Sequence, residues 1–535
     1  TTNSLTETRK DDYHVTSQVI ANYMGTFGSH DLTVMAGFEN YYMKDEELTA
    51  ARDKYELTGY PYLNIGSEDF QTNSGKGSEY TSNSVFGRVI YSYADRYLFQ
   101  ANIRHDGSSR FAKGYRWGTF PSFSAGWVMS EEKFMKSLNW DWLSFLKLRG
   151  SWGILGNERI GDDYFPYIAL MSFGNSLFYM ADGSVVSDKT ARPAILAVED
   201  ITWETTTSTD FGLDANFFNN RLQFHFDYYW KQTKDMLLKI EIPYFMGYNN
   251  PNTNAGKMST HGYDIELAWN DRIGDLQYGV NVNFSDFLSK IDYMNDGEQI
   301  SNGKIKRAGV LFNEYYGYVC DGIYQTQEEV NNSARTSTTV TVGDLKYRDI
   351  SGPDGVPDGI ISPEYDRVPL GNSLPRFQYG GTFNASYKGI DFSIAFQGIG
   401  KQNSYLSTAM VQPLRDNYGS VPSIIEGKYW SPFNTAEENL SARYPRLSNV
   451  SKSNNYATSS FWMFNGSYFR LKNLTLGYTL PETWTQKAGI DRVRFYISGS
   501  DLFCLSNFPD GWDPEMGASS YPITTSLVMG LQVNF

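Results

Sequence analysis

Histidine is the first residue type to examine for catalysis or metal binding in these 535 residues, and the chain contains five of them, which lie far apart in the sequence. They are His14, His30, His105, His225 and His261. None forms an i, i+4 pair or a cluster with the spacing of metal ligands. The chain carries no phosphate-binding loop and no nucleophile elbow. Carboxylate pairs are plentiful, but none stands out as an acid and a base. The sequence therefore predicts no enzyme, no cofactor and no metal site, and it leaves the ligand-binding residues unknown.

An acidic segment at 349–366 is the closest approach to a cation site. Asp354 and Asp358, each followed by glycine, give it some likeness to the Asp-rich calcium loop. Gly352 and Pro353 interrupt the required spacing, and no Glu occupies the position of the bidentate ligand. Two interpretations stay open, a bound cation and a turn cluster of Asp, Gly and Pro.

Aromatic residues are frequent, with 39 Tyr, 34 Phe and 12 Trp. Aromatic girdles of membrane barrels would explain this excess, and so would the stacking of sugar rings. The formal net charge of -14 argues against a nucleic-acid partner, because phosphate contacts need a basic face. Cys320 and Cys504 are the two cysteines, so a disulfide framework is excluded and two unpaired thiols are predicted.

The dominant hydrophobic period is two residues, which is typical of strands. From Leu222 to Trp230 the apolar residues Leu, Phe, Phe, Tyr and Trp alternate with Gln, His, Asp and Tyr. The stretch 210–217 alternates in the same way, and Asn219-Asn220 between the two is a tight-turn signal. Such segments are about 9–13 residues long, which suits a tilted crossing of a bilayer. No run of about 18 apolar residues predicts a transmembrane helix.

These patterns predict about 15 strands, arranged as seven hairpins and a final strand. Turns within hairpins are short, apart from 130–144, where Glu131 to Met135 is expected to form a helical turn. Links between hairpins are long, roughly 40 to 90 residues. The predicted fold class is all-β, a transmembrane antiparallel β-barrel with short periplasmic turns and long extracellular loops. The hairpins lie near 13–43, 83–105, 119–153, 207–231, 257–288, 376–398 and 466–500, and the last strand near 525–535.

Barrel closure leads to a prediction about the chain ends. Bacterial single-chain barrels have an even number of strands, and open sheet edges are not tolerated in lipid. We therefore expect an odd number of strands upstream of Thr1, with residue 1 in an external loop and Phe535 at the periplasmic end. Residues 1–535 are predicted to be the C-terminal portion of a barrel.

A series of long, ordered motifs resembles the SusC/RagA-type TonB-dependent transporters of Bacteroidetes. The resemblance runs through nearly the whole chain. The motifs are Phe86 to Tyr167, Trp203 to Thr207, Asp210 to Leu213, Tyr316 to Tyr324, Gly343 to Tyr347, Gly371 to Pro375, Arg470 to Leu474 and Tyr521 to Phe535.

The resemblance implies a 22-stranded barrel around an N-terminal plug. The plug, a TonB-contacting segment and the first strands would then lie upstream of Thr1, and 22 less 15 leaves an odd seven. It also implies a Gram-negative outer-membrane location, a SusD-like surface lipoprotein as lid, frequent pairing of two such complexes, and energy supplied through TonB.

Import of a bulky nutrient is the function that the resemblance implies. Family cargo is usually an oligosaccharide and sometimes an oligopeptide, so the first is predicted and the second is kept as the alternative. A passive porin, a surface receptor that transports nothing, and a soluble glycan-binding or glycan-cleaving protein remain as rivals.

Two sets of residues are candidates for contact with cargo. Acidic side chains predicted on the inner wall could line its path, or could simply hydrate a polar interior and contact a plug. They are Asp210, Asp214, Asp227, Asp264, Glu266 and Asp391. Loop aromatics could stack sugars, or could pack the long loops and meet a lid. They are Tyr316, Tyr318, Tyr405, Tyr418, Trp430, Trp462 and Trp512.

Overall fold

Nearly all of the regular secondary structure is β strand in a computed structural model that describes residues 3–57, 59–161, 163–295, 297–407, 412–414, 421, 423–516, 520–521 and 523–535. The strands in these ranges are β1 Ser4–Phe27, β2 His30–Asp53, β3 Gln71–Tyr93, β4 Tyr97–Ser108, β5 Trp117–Val128, β6 Leu143–Asn157, β7 Met171–Tyr179, β8 Val185–Pro193, β9 Glu204–Phe217, β10 Leu222–Lys239, β11 Asn252–Ile273, β12 Leu276–Met294, β13 Glu298–Ser301, β14 Lys304–Arg307, β15 Glu314–Tyr318, β16 Cys320–Ile323, β17 Leu345–Tyr347, β18 Arg367–Asn372, β19 Arg376–Tyr387, β20 Ile390–Lys401, β21 Asn403–Tyr405, β22 Met463–Asn465, β23 Tyr468–Thr479, β24 Arg492–Ser506 and β25 Ser526–Asn534.

Helices are short and lie in the connections. The α-helices are α1 Lys133–Ser137, α2 Gln327–Asn331, α3 Ala436–Leu440, α4 Lys452–Asn455 and α5 Glu482–Thr485. Single 3-10 turns lie at Leu63–Ile65, Glu68–Phe70, Met129–Glu131, Tyr244–Met246, Ser423–Ile425, Ser460–Trp462 and Gln486–Ala488. Across the described ranges, no helix has the length and apolar character that would carry it through a membrane.

One 15-stranded sheet contains most of the strands, in the order β1-β2-β3-β4-β5-β6-β9-β10-β11-β12-β19-β20-β23-β24-β25. Each predicted hairpin is a pair of neighbours in this order, so the seven hairpins and the final strand are confirmed. The remaining strands form small sheets within the long connections, namely β13-β14-β15-β18, β16-β17, β21-β22 and β7-β8.

Asp95, Asn219 and Asn220 have residue types that favour the left-handed conformation in two tight turns, whereas Ala94 and Phe218 do not. Ala94 and Asp95 between β3 and β4 have φ of 53° and 55°, the left-handed pair that a type I′ turn needs. Asn219 and Asn220 have φ of 58° and 65°, which confirms the turn predicted between β9 and β10. Asn and Asp tolerate this region because their side chains hydrogen-bond locally.

Strand lengths were predicted wrongly at the start of the chain. β1 and β2 have 24 residues each and β3 has 23, where about 9–13 were expected. Most of the predicted link 44–82 is therefore strand, and only 54–70 separates β2 from β3. The outer halves of these strands are polar on both sides, so they lack the alternation that reveals a half-buried strand.

Two connections within hairpins are more elaborate than a tight turn. Between β5 and β6, a 3-10 turn at Met129–Glu131 precedes α1, so the helical turn expected near 131–135 exists but lies slightly later. Between β23 and β24, where a short turn was predicted, α5 and the turn Gln486–Ala488 occupy the connection.

The described chain divides into two compact units, each with its own core. Unit 1 comprises 1–132, 148–211 and 230–258, and unit 2 comprises 133–147, 212–229 and 259–535. The core of unit 1 is Phe111, Phe120, Ile160, Ile201 and Trp203. In unit 2 the long connections build three further clusters, which are described with the site below.

Candidate functional site

Strand register in unit 1 places apolar and polar side chains on opposite faces of the sheet. The pairs Tyr23–Val34, Val34–Val89, Val89–Ala101 and Ala101–Phe123 continue one another across β1 to β5 and form an apolar row.

On the other face of the same strands, Arg104 is the centre of a polar network. It contacts Glu39 at 3.1 Å, Asp106 at 2.8 Å and Ser84 at 2.9 Å. Gln18 donates to the same Glu39 at 2.8 Å. One cation therefore faces two carboxylates, which leaves this network with one negative charge in excess.

Unit 2 repeats the division. Phe392, Leu476, Ile497 and Met529 pair in sequence across β20, β23, β24 and β25 as an apolar row. The opposite face of these strands carries a polar row of hydroxyls and an amide. Ser393 donates to Asn384 at 2.7 Å, and Thr475 and Ser498 lie 2.8 Å apart.

Most of the predicted acidic wall residues have partners on the adjacent strand of the sheet or, for Asp391, on the strand beyond it. The six are spread over β9, β10, β11 and β20 rather than gathered at one point. Within the described ranges, no group of three or more His, Cys, Asp or Glu side chains is placed to hold a metal ion. The interactions are Arg149–Asp210 at 3.7 Å, Lys147–Asp214 at 3.7 Å, Asn281–Glu266 at 2.8 Å and Arg494–Asp391 at 2.8 Å.

The long connections of unit 2 fold into what we call the loop layer, namely the described parts of 302–375, 403–466 and 507–516. Tyr316, Tyr318 and Trp462 are buried in it, so they are not available to a cargo. Tyr405, Trp430 and Trp512 are half-buried, and Tyr418 lies outside the described residues. The loop aromatics thus serve first as a core. Its clusters are Tyr318, Leu345, Tyr347 and Ile361; Leu406, Trp462 and Phe508; and Tyr324, Val330 and Val340.

Asp344 joins two of these connections through a buried polar network. Its carboxylate is fully buried and accepts from Arg446 at 2.7 Å, Ser451 at 2.8 Å and Asn455 at 2.9 Å. Asn455 also accepts the backbone amide of Leu345 at 2.9 Å. Sequence reasoning missed this network, since its members are about a hundred residues apart. The only signal was that Asp344 lies in the motif Gly343 to Tyr347.

The interior of the loop layer is buried, and burial shifts the pKa values of ionisable groups there. Burial raises the pKa of the Tyr324 phenol to about 12 and that of the Cys320 thiol to about 11. The pKa of Tyr347, which is also buried, lies well above its ordinary value for the same reason. All three groups are held neutral at physiological pH, as a packed core requires.

Within segment 349–366, the carboxylates bind backbone amides. Asp366 is fully buried and accepts from the amides of Ile350 and Ser362, each at 2.7 Å. Asp349 and Asp358 each accept an amide from the same turn, at 2.7 and 2.9 Å. These bonds give the acidic residues a role in shaping the turn, which agrees with the interpretation of the segment as a turn cluster of Asp, Gly and Pro.

A two-stranded ribbon, β7–β8, occupies the connection between β6 and β9. Met171, Phe173, Leu177 and Tyr179 lie on one side of β7, and Ser172, Gly174 and Ser176 lie mainly on the other. The apolar side is uncovered: Phe173 is 80% exposed and Tyr179 is 83% exposed. At its base the ribbon is tied to the next loop by a bond from Arg192 to the carbonyl of Gly247 at 2.7 Å.

Residues 1–498 match the family model described as TonB dependent receptor-like, beta-barrel. The chain belongs to this TonB-dependent receptor β-barrel family. TonB-dependent receptor P3 of Formosa agariphila is 30% identical over 557 residues, which cover 97% of this chain and 52% of that protein. TonB-dependent receptor SusC of Bacteroides thetaiotaomicron is 28% identical over 541 residues, covering 98% and 50% respectively.

The fold of this TonB-dependent receptor is also found in a solved structure. The structure of the RagAB peptide transporter aligns with a TM-score of 0.82 and 23% identity, over 100% of this chain and 57% of that one. The SusC/RagA type expected from the motifs is thus confirmed, as are the all-β class and the outer-membrane location. The chain spans about half the length of the curated relatives it matches.

Membership in a barrel family assigns the two faces of the sheet. The apolar rows of an outer-membrane barrel meet lipid and the polar rows line its interior. The Arg104 network and the row from Asn384 to Ser498 therefore belong to the inner wall.

Proposed function

We propose that the intact protein containing this chain imports an oligosaccharide across the outer membrane, with energy supplied through TonB. The observation that carries the proposal is the chemistry of the inner wall. Most of its acidic side chains have a basic or amide partner on a nearby strand, and hydroxyls and amides occupy the positions between them.

A wall of this kind suits a neutral cargo rich in hydroxyls. Hydroxyl and amide groups both donate and accept, so they can exchange partners with a sugar as it passes. A charged cargo would need an unmatched opposite charge, because burying an ion without one is costly. The pair Arg494–Asp391 leaves none at its position, and the network around Arg104 carries one carboxylate in excess, which does not favour an anionic cargo.

We also propose that the partner is a SusD-like surface lipoprotein that covers the barrel as a lid. The β7–β8 ribbon supports this, because an isolated two-stranded ribbon is marginally stable and gains from a surface that covers its apolar side. Exposed apolar patches are typical of interaction sites. Two such transporter–lid pairs would associate, as the family resemblance implies.

The remaining parts of the barrel belong to the same proposal. Among the described strands of the main sheet, β1 and β25 each pair on one side only. We propose that the plug, the TonB-contacting segment and the strands that close the barrel belong to other parts of the full protein. A match to only about half of each relative supports this.

Uptake by cells that carry the complete system tests the proposal. Cells expressing the full transporter and its lid would receive a labelled neutral oligosaccharide or an oligopeptide of equal size, with and without a protonophore. We expect the oligosaccharide to accumulate and the protonophore to abolish its accumulation. Preferred accumulation of the peptide would assign the protein to peptide import. Accumulation that the protonophore does not affect would indicate a passive porin, and surface binding without accumulation would indicate a receptor.

A further inference from the structure

A trough of about 760 Å³ lies in the inner wall of unit 2. It is formed mainly by 378–382 of β19, by 395–399 of β20, and by Asn283 and Ser285 of β12. The β19 segment ends two residues before Asn384, so alternate residues of that segment share the face of the polar row described above. The volume falls within the range of about 300–1,000 Å³ that is usual for small-ligand sites.

Four polar side chains in the trough form no hydrogen bond with any residue that the structure describes. They are Asn283, Ser285, Gln378 and Thr382. Lower on the same wall, a hydroxyl and an amide bond each other, as Ser393 and Asn384 do. Ser285 and Gln378 are cross-strand partners, so a hydroxyl and an amide lie side by side in the trough. The trough therefore presents donors and acceptors that a bound ligand can use.

The charged groups that line the trough do not favour an anionic ligand. Lys472 contacts Asp501 at 2.7 Å, so its charge is already paired. Glu266 accepts a hydrogen bond from Asn281 at 2.8 Å and keeps a carboxylate at the edge of the trough. A neutral ligand can donate a hydroxyl to this carboxylate, whereas an anion would be repelled by it.

The trough lies towards the long-loop end of its strands. Gln378 is two residues from the start of β19, and the short turn at Lys388–Gly389 follows the other end of that strand. Gln397 in the trough donates to Glu515 of the loop layer at 3.0 Å. A ligand that enters past the long loops would thus meet the trough before it meets the rest of β19.

We propose that this trough is a binding site for a neutral oligosaccharide, held by the amides of Asn283 and Gln378 and by the hydroxyls of Ser285 and Thr382. Each amide presents a donor and an acceptor side by side, which matches two adjacent hydroxyls of a sugar ring. Glu266 accepts a further hydroxyl. The site rests on the proposed import of an oligosaccharide and gives that cargo a defined place on the wall.

Binding to the purified full-length transporter in nanodiscs tests the site without relying on uptake. Isothermal titration calorimetry would use cellohexaose, xylohexaose and mannohexaose, with a neutral peptide of similar mass for comparison. We expect at least one of the sugars to bind, and Asn283→Ala/Gln378→Ala to weaken its binding by about tenfold or more. The matched control Gln327→Ala/Asn331→Ala removes the same two residue types from the exposed surface of α2 and should bind like the parent protein.

Four outcomes decide between the site and its rivals. Equal affinity of the parent protein and the trough variant would overturn the site, and so would a parent protein that binds none of the three sugars. Peptide binding that the trough variant abolishes would overturn it in favour of a peptide site. Sugar binding that depends on the trough, without accumulation in the uptake assay, would contradict the proposed import and leave the site in place.

Protection of an introduced cysteine separates a ligand site from a contact with another part of the protein. Thr382→Cys, in a background without other reactive cysteines, should react with a water-soluble maleimide, and a saturating amount of the bound sugar should slow the reaction. The control Gln327→Cys should react at the same rate with and without the sugar. A cysteine at position 382 that the sugar does not protect, or that is unreactive because the protein itself covers it, would overturn the proposal.

Discussion

Asp344 is a fully buried carboxylate that connects two segments of the loop layer. A buried carboxylate with four hydrogen-bond donors loses more than one bond when it is replaced, because Arg446 is left without its counter-charge. We expect Asp344→Asn to destabilise the loop layer by about 3–5 kcal/mol, the range for breaking one side of a buried ion pair. Limited proteolysis of the intact transporter would show faster cleavage within 302–375 and 403–466.

The matched control is Asp321→Asn, which breaks the ion pair with Arg348 at 2.6 Å in the same layer. Arg348 is exposed, so water replaces the lost partner and cleavage should hardly change. Equal cleavage of the two variants would contradict the central role of Asp344.

Cys320 offers a probe of how dry the loop layer is. Burial raises the pKa of its thiol to about 11, which leaves roughly a hundredfold less thiolate at pH 8 than an ordinary cysteine has. In a Cys504→Ser background, iodoacetamide should alkylate Cys320 far more slowly than a short cysteine peptide, and the rate should keep rising up to about pH 11. A rate at pH 8 equal to that of the peptide would show that water reaches the thiol.

Among the elements, β1, β2 and β3 are too long to serve only as membrane crossings. An apolar band about 25 Å tall needs only some 10 residues of a tilted strand, so about 14 of the 24 residues in β1 project beyond it. The outer parts of these three strands therefore form a polar sheet on the side of the long loops. The wall of unit 1 extends well above the lipid.

The β7–β8 ribbon is the element whose role is easiest to test by binding. We expect Phe173→Ser/Tyr179→Ser to weaken the affinity of the full transporter for its lid lipoprotein by about tenfold or more, since exposed aromatics dominate such contacts. Biolayer interferometry with the purified lid would measure the change. The control Ser172→Ala/Thr190→Ala alters the polar side of the same ribbon and should bind normally. If both variants bind like the parent protein, the ribbon is not part of the contact.

At the scale of the whole molecule, we expect the loop layer to unfold at alkaline pH while the sheet stays folded. The folded layer raises the pKa of Tyr324 to about 12, against an ordinary value of about 10. Because the folded state favours the neutral phenol, this stability is complete below pH 10 and is lost as the pH rises towards 12. The buried Tyr347 adds to the effect.

Circular dichroism and proteolysis, recorded together from pH 8 to pH 12, measure the pH at which the loops and the sheet each unfold. We expect the loops to become cleavable while the β signal of the sheet persists. Tyr324→Phe should reduce the pH dependence, although it loses the bond to the carbonyl of Ala334 at 2.9 Å. Simultaneous loss of sheet and loops would show that the two unfold as one.

Much of the sheet could be predicted because its strands lie between lipid and water. That environment imposes a period of two on residues such as 222–230, and turn residues such as Asn219-Asn220 then fix which strands pair. The β7–β8 ribbon carries the same alternation at Met171, Phe173, Leu177 and Tyr179, yet the sequence analysis predicts a long loop there. The ribbon packs its apolar side on no other element, so its aromatic residues resemble those scattered in a loop.

The sequence by itself determined the fold class, the number of membrane strands and their order, because each of these follows from local alternation and local turns. Only the tertiary structure decided that Tyr316, Tyr318 and Trp462 form a core rather than a cargo surface. It alone joined Asp344 to Arg446, 102 positions further along the chain. Burial and pairing of this kind depend on which distant segments meet, and no periodicity in a single segment records that.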